Sequence, residues 1–386
     1  MLDWIVIGGG IQGTTMAHFL VQMRKVPIEK LAIVDPHEAP LENWHSCTEK
    51  IDMPFLRSPS VHHLDVQPFS LQKFVSKNCS LNKQDFYGRY KRPSLYAFSE
   101  HCRHLIQDSD LLQAWHKGRV VSLSRRKKHW MVITEEGKKL EALNVVLAIG
   151  VSEQTYWPEW AKLLKNKDTQ SVGHIFDSSF SFNESQEITI VGGGISAAHL
   201  AIKLSKQGRS VHLITRHPFR IIDFDSDPAW LGPKNQLMFR EEASYQKRRS
   251  FITDARHRGS MPRDIYIKLM GQTRKNNLTI SKDEIQEANI KETKIILYGK
   301  SAQYETETIV LATGFSSSLP GKEWLTPLIN KENLQCSDCG YPIVSSSLQW
   351  SNNLYVVGAL AELEIGPISR NISGARQAAE QIAQSL

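Results

Sequence analysis

The chain has 386 residues, 41% hydrophobic and 23% charged, a balance that excludes a disordered chain, a collagen-like fibre and a disulfide-stapled miniprotein; at about 150 residues per domain it holds two or three. Its 47 Lys and Arg against 40 Asp and Glu leave a formal charge of +7, but the signs are interspersed, so nucleic acid is not an expected partner. Five cysteines, of which only Cys336 and Cys339 lie close in sequence, suit a reducing cytoplasm, the expected location. The N-terminal residues carry no signal-peptide pattern, and no apolar run reaches the length of about 18 residues that a membrane span needs.

The first predicted element is a buried strand, Trp4-Ile5-Val6-Ile7, which runs into Gly8-Gly9-Gly10-Ile11-Gln12-Gly13 and then a helix with apolar residues at helical spacing from Thr14 to Val21. Strand, glycine turn and helix together form a dinucleotide fingerprint. Gly8 permits the turn, Gly10 removes a side chain where a pyrophosphate must approach the backbone, and Gly13 lets helix and strand pack closely. The helix N-terminus faces the anion. A second strand, Leu31-Ala32-Ile33-Val34, ends in Asp35, 22 residues after Gly13, where a carboxylate accepts hydrogen bonds from ribose hydroxyls. This pattern predicts an FAD-type site.

Further along, Arg119–Ser124 and Trp130–Thr134 alternate around Arg125-Arg126-Lys127-Lys128, a hairpin with a solvated basic tip. The strand Val145-Val146-Leu147 exits at Ala148-Ile149-Gly150. A second fingerprint begins at Ile188-Thr189-Ile190-Val191 and continues through Gly192-Gly193-Gly194-Ile195-Ser196-Ala197 into an apolar helix from Ala198 to Leu204. The strand after it, Ser210–Ile214, ends in Thr215-Arg216 rather than in an acid. A guanidinium there pairs with a 2′-phosphate that a carboxylate would repel, so the second site reads as NADPH-type, with Arg216 as the phosphate ligand and Arg220 as a weaker candidate.

Another strand exit, Thr308–Leu311 into Ala312-Thr313-Gly314-Phe315, matches the one at 148–150. In a protein with two dinucleotide folds, such exits lie where the chain passes between them. Near the C-terminus, Asn353–Ala359 reads as a strand and turn, followed by Gly366-Pro367-Ile368 and a helix from about Asn371 to Ser385. The expected fold is α/β, with two Rossmann-like dinucleotide-binding domains. An NADPH domain at 181–301 is inserted into a discontinuous FAD domain formed by 1–180 and 302–386.

These motifs resemble those of the two-dinucleotide-binding flavoproteins, within them the class B flavin monooxygenases, and most closely the lysine/ornithine N-hydroxylating monooxygenases. Glu307, Leu311-Ala312-Thr313-Gly314-Phe315 and Pro320 keep the spacing of that family's signature, with Glu for its Asp and Phe for its Tyr. Asn43-Trp44-His45 through Met53-Pro54 and Leu56 is similar to the family's segment beside the flavin, and Gly366-Pro367-Ile368-Ser369-Arg370-Asn371 to its closing motif. The signature of Baeyer–Villiger and flavin-containing monooxygenases is represented only by a degenerate echo at Gly173–Ser178, which argues against those subfamilies. The resemblance implies FAD and NADPH as cofactors, molecular oxygen and a small molecule as substrates, and oxygenation of an amine or other nucleophile through a flavin C4a-hydroperoxide. Trp44, His45, Thr313, Gly314, Gly366 and Pro367 would then lie at the cofactors. Two rival readings remain: a flavin reductase passing electrons to a dithiol, quinone or protein, and a non-catalytic redox sensor that binds the same cofactors.

Other candidates have plainer alternatives. Arg57 falls in the segment expected near the flavin, where a cation would stabilise reduced flavin, or else it is a domain-packing group. His62, His63 and Asp65 read more readily as satisfied side chains than as metal ligands. Cys336-Ser337-Asp338-Cys339 has the spacing of a redox dithiol but lies outside both dinucleotide turns and reads as an ordinary loop; a structural zinc would lack two ligands. The basic stretch from Tyr245 to Arg263 reads as a solvated loop, or as a contact for NADPH phosphates or an acidic substrate.

Overall fold

The apolar run Leu2–Ile7 becomes the central strand of the first sheet because a parallel strand covered on both faces needs an almost uninterrupted hydrophobic sequence. The computed structural model describes residues 1–167, 170–182, 185–275 and 277–386. Leu2–Ile7 pairs in parallel with Leu31–Asp35 on one side and with Lys139–Leu147 on the other. Trp115–Lys117 extends the sheet beyond Leu31–Asp35, and Leu354–Val356 extends it beyond Lys139–Leu147. The hairpin Val120–Arg126 and His129–Thr134 joins along Lys139–Leu147, with its tip at Lys127 in the left-handed region. The sheet order reverses direction beside Leu2–Ile7, and such a switch point opens a crevice at the carboxyl ends of the strands.

The second sheet is parallel throughout, in the order Leu278–Lys282, Ser210–Thr215, Glu187–Val191, Thr308–Leu311, Val172–His174. A three-stranded antiparallel meander, Ile285–Lys291, Lys294–Gly299 and Gln303–Thr306, precedes its return strand. Both folds are therefore Rossmann-like α/β units. Limits of 181 and 301 for the second one leave out Val172–His174 and Thr308–Leu311, yet both strands are hydrogen-bonded into its sheet. Pairing of Ile188–Val191 with Thr308–Leu311 is what draws these flanking segments in.

The two connections between the sheets lie side by side. Thr155 bridges Phe315, the Tyr156 N–H donates to the Gly314 carbonyl at 2.9 Å, and the Ser316 N–H donates to that of Gln154 at 2.7 Å. Among the described residues no helix is long and apolar enough to cross a membrane.

Candidate functional site

In the first fingerprint the chain turns at Gly8 with φ +106°, and a Cβ there would sit 2.7 Å from the Ala148 carbonyl oxygen. Only glycine meets both conditions. A Cβ on Gly13 would collide with the Gly8 carbonyl, so the helix Ile11–Arg24 rests directly on the turn. Gly10, by contrast, faces open space, and as N-cap it offers the helix no side-chain hydrogen bond. The first-turn N–H groups are thus left for an anion.

Asp35, at the end of its strand, braces the turn. One carboxylate oxygen accepts the Gly9 N–H at 2.6 Å, and the other accepts from His37 N–H at 3.0 Å and His37 Nδ1 at 2.6 Å. A carboxylate has about four lone-pair positions, so capacity for hydroxyl donors remains. Trp115 packs its indole over Gly9 and donates from Nε1 to the His37 carbonyl at 3.2 Å. Sequence reading missed this residue, and only its aromatic character beside a basic strand end hinted at it.

Gln12 joins the two ends of the chain. Its amide donates to the carbonyls of Ser369 at 3.1 Å and Asn371 at 3.3 Å, and its stem packs against Gly358. The C-terminal helix Ile372–Ser385, also without a side-chain cap, therefore begins beside the first glycine turn. Trp44 and His45 stand on the helix Glu42–Lys50, tied to the turn by the Leu41 N–H donating to the Gly9 carbonyl at 2.9 Å. Trp44 faces the core against Phe98, whereas His45 lines an outer groove with Lys50 and Lys203. Burial pulls the His45 pKa down. Gly366 and Pro367 are buried, with Gly366 against the Phe239 ring, so the closing motif presents Ile368, Asn371 and the neighbouring Ser373 to the cleft instead.

The second turn repeats the first. Gly192 has φ +151°, a Cβ on Gly193 would strike the Thr215 hydroxyl, and Gly194 begins the helix Ile195–Lys206 without a side-chain cap. Ile195 and Ser196 open its first turn, and Ala197 is buried at the helix–strand contact. Arg216 is exposed at the end of its strand and has no hydrogen bond or ion pair among the described residues. Arg220 instead donates to the Arg258 carbonyl at 3.1 Å. Thr313 donates to the Tyr156 carbonyl, so Thr313 and Gly314 belong to the paired connection between the sheets. Glu307 accepts the Gln186 and Glu187 N–H groups at 3.0 and 3.2 Å, which fixes the entry to the strand Glu187–Val191.

Between the units lies a small crevice lined by Arg57, His62, Phe224, Asp225, Ser226 and Asn371, among others. Arg57 is committed to structure: it donates to the carbonyls of Ile222, Asp223 and Phe224 at 2.7, 2.8 and 2.6 Å and to the Ser260 hydroxyl at 2.8 Å. Burial lowers its pKa to about 10 against the pull of Asp225 and Asp223. Asn371 donates to Asp225 at 3.3 Å and Ser226 at 3.1 Å. Burial also lowers the His62 pKa, so its ring is neutral near pH 7.

His63 lies deeper, in a buried network with His18, His101, Asp65, Ser70 and Ser109. No cluster able to hold a metal ion occurs among the described residues. The stretch 245–263 is not a solvated loop: Tyr245–Ala255 is a helix, and Arg248 is buried, paired with Glu364 at 3.0 Å and donating to three carbonyls.

A family profile described as pyridine nucleotide-disulphide oxidoreductase matches residues 5–258. No curated protein sequence matches the chain. Among solved structures, ornithine hydroxylase (PvdA) from Pseudomonas aeruginosa superposes with a TM-score of 0.78 at 17% identity, covering all of this chain and 98% of that one. L-lysine 6-monooxygenase from Pseudomonas syringae gives 0.72 at 18% identity, covering 100% and 99%. Bacillithiol disulfide reductase from Staphylococcus aureus gives 0.65 at 15%, covering 100% and 97%. At such identities the likeness is one of fold.

Proposed function

The chain belongs to the pyridine nucleotide-disulphide oxidoreductase family, and from that premise we propose that it is an FAD- and NADPH-dependent monooxygenase acting on a small amine or similar nucleophile. The observation that carries this reading is the pairing of two uncapped glycine turns, each at the carboxyl end of a parallel-paired strand in its own Rossmann-like sheet. Structural likeness to ornithine and lysine hydroxylases supports it.

FAD fits the first turn, where Gly10 leaves open space and Asp35 stands ready for a ribose. NADPH fits the second, where Arg216 is free for a 2′-phosphate. When bound, these groups supply hydride transfer and oxygen activation. The chain's own residues then bind, orient and handle protons. In the cleft, Asp225 can receive an ammonium group and Asn371 holds Asp225 in place. A nucleophilic nitrogen must lose its extra proton to react, and the neutral His62 ring at the same cleft can accept it. Closure of the cleft by Phe224, Leu231 and Ile368 limits water at the reacting atoms.

The test is a screen of small amines with purified yellow protein, following NADPH oxidation, oxygen uptake and peroxide release together. Amine-dependent NADPH oxidation, with product gaining one oxygen atom and little peroxide, is the expected result. NADPH oxidation that no amine alters, with its electrons recovered in a quinone or in thiols, would establish a reductase instead. Cofactor binding without turnover would establish a sensor.

A further inference from the structure

Cys336 and Cys339 sit on a tight hairpin rather than in a featureless loop. Cys336 bridges Pro342, the Ser337 N–H donates to the Tyr341 carbonyl at 2.9 Å, and the Gly340 N–H donates to that of Ser337 at 2.8 Å. The two thiols differ in setting. Cys339 is exposed at the turn, while Cys336 is half-buried against the core of the first unit.

Three groups converge on the Cys339 sulfur. Arg249 Nη2 donates to it at 3.3 Å, the Ser337 hydroxyl lies at 2.9 Å, and the Tyr341 N–H also donates to it. Arg249 is not a wandering surface cation. Its Nη1 is bound to the buried carboxylate of Glu362, which Arg370 also holds at 2.7 Å, and its guanidinium lies 4.4 Å from the Tyr341 ring centroid. Helix Tyr245–Ala255 thus delivers a fixed positive charge to one sulfur of a Cys-x-x-Cys pair. Such a charge stabilises a thiolate, the nucleophilic form.

We propose that Cys336 and Cys339 form a second redox site, a dithiol that reduces an external disulfide by thiol–disulfide exchange. The Cys339 thiolate attacks one sulfur of the disulfide R–S–S–R; a Cys339–S–S–R bond forms and one R–S⁻ leaves. Cys336 then gives up its proton to that thiolate and attacks the Cys339 sulfur. The Cys336–Cys339 disulfide forms and the second R–S⁻ departs. Two electrons pass from the dithiol to the external disulfide, and the atoms balance without flavin or nicotinamide. The asymmetry of the pair suits these roles. Burial opposes ionisation of Cys339, but the hydrogen bonds from Ser337, Tyr341 and Arg249 outweigh it and lower its pKa, whereas burial and the neighbouring Cys339 charge raise that of Cys336. The exposed thiol is therefore the attacker and the half-buried one the resolver.

Cys79, the other exposed cysteine, provides an internal standard. In the reduced full-length protein, iodoacetamide at neutral pH should label Cys339 severalfold faster than Cys79, because Arg249 and Ser337 hold the Cys339 thiolate. Arg249→Lys should slow that labelling several-fold. Ser337→Ala, a change on the exposed hairpin that spares the buried Glu362 pair, should slow it as well. Glutathione disulfide and insulin serve as small-molecule and protein disulfides. Either one should yield a chain two hydrogens lighter with a Cys336–Cys339 bond, and the one that reacts faster identifies the class of substrate. In Cys336→Ser the adduct should persist on Cys339. Labelling of Cys339 no faster than Cys79, or a persistent adduct in the unaltered chain, would overturn the proposal. The outcome is independent of whether any amine is oxygenated.

Discussion

The indole of Trp115 fills the space that a side chain on Gly9 would need, while the Gly9 N–H donates to Asp35 at 2.6 Å. Gly9 is thereby held between the Asp35 carboxylate and an aromatic face from the edge strand. Gly9→Ala should force the indole outward, costing about 1–3 kcal/mol of stability as other overpacked sites do, and should lower the flavin retained on purification. Adding Trp115→Leu should restore both. Thermal unfolding and the flavin-to-protein absorbance ratio check this; a Gly9→Ala protein with unchanged flavin content would contradict it.

Arg216 is expected to discriminate between the two nicotinamide coenzymes. Losing a charge-assisted hydrogen bond costs about 1.5–3 kcal/mol, so Arg216→Ala should weaken NADPH binding by roughly ten- to a hundredfold and leave NADH nearly unchanged. Titration with both coenzymes decides the matter, and equal losses would remove the phosphate role.

Arg57 should behave as a structural clamp. Its guanidinium serves three carbonyls from 222–224 and the buried Ser260 hydroxyl, so Arg57→Ala removes four hydrogen bonds from partly buried acceptors at a cost on the order of 3 kcal/mol. Arg57→Lys should recover little, because a lysine lacks the planar fork. Urea unfolding of the three proteins reads this directly.

Acid should destabilise the protein before it touches the cofactors. Burial, with the Arg376 charge, lowers the His63 pKa to about 4, and burial, with His63 itself, lowers that of His101 to about 3, both from 6.5. As pH falls below 6.5 the unfolded chain binds protons that the folded chain refuses, so stability is lost through that window at about 1.4 kcal/mol per pH unit for each histidine. Asp65 acts in the same direction at lower pH. Burial would raise its pKa, but hydrogen bonds from His18, Ser70 and the Gln67 N–H hold it below the usual carboxylate range. Unfolding free energies from urea titrations should fall by several kcal/mol between pH 7 and pH 5, since burial also holds His174 and His199 near 4, and His63→Gln should remove one histidine's share, about 2 kcal/mol. A flat profile would refute the linkage.

The dinucleotide turns were legible because each rests on local sequence: an apolar strand, glycines at fixed offsets and a helix within about 30 residues. Asp35 and Arg216 followed from the same units. Trp115 escaped because its strand has three residues, too few for periodicity to register. The helix at 245–255 escaped because its basic residues imply solvent, whereas the partners of Arg248 and Arg249 lie at Glu364 and Glu362, more than 100 positions away. Arg57 poses the same difficulty more sharply, since backbone carbonyls at 222–224 leave no mark in the sequence.

The antiparallel contact of 154–156 with 314–316 gives the second unit a single point of entry and exit. The strands of the first sheet all lie outside the 155–315 segment, yet Trp230, Phe239, Ile252 and Ala255 from within it are packed into the first unit's core, so neither unit could be cut away at the paired connections without opening the core of the other.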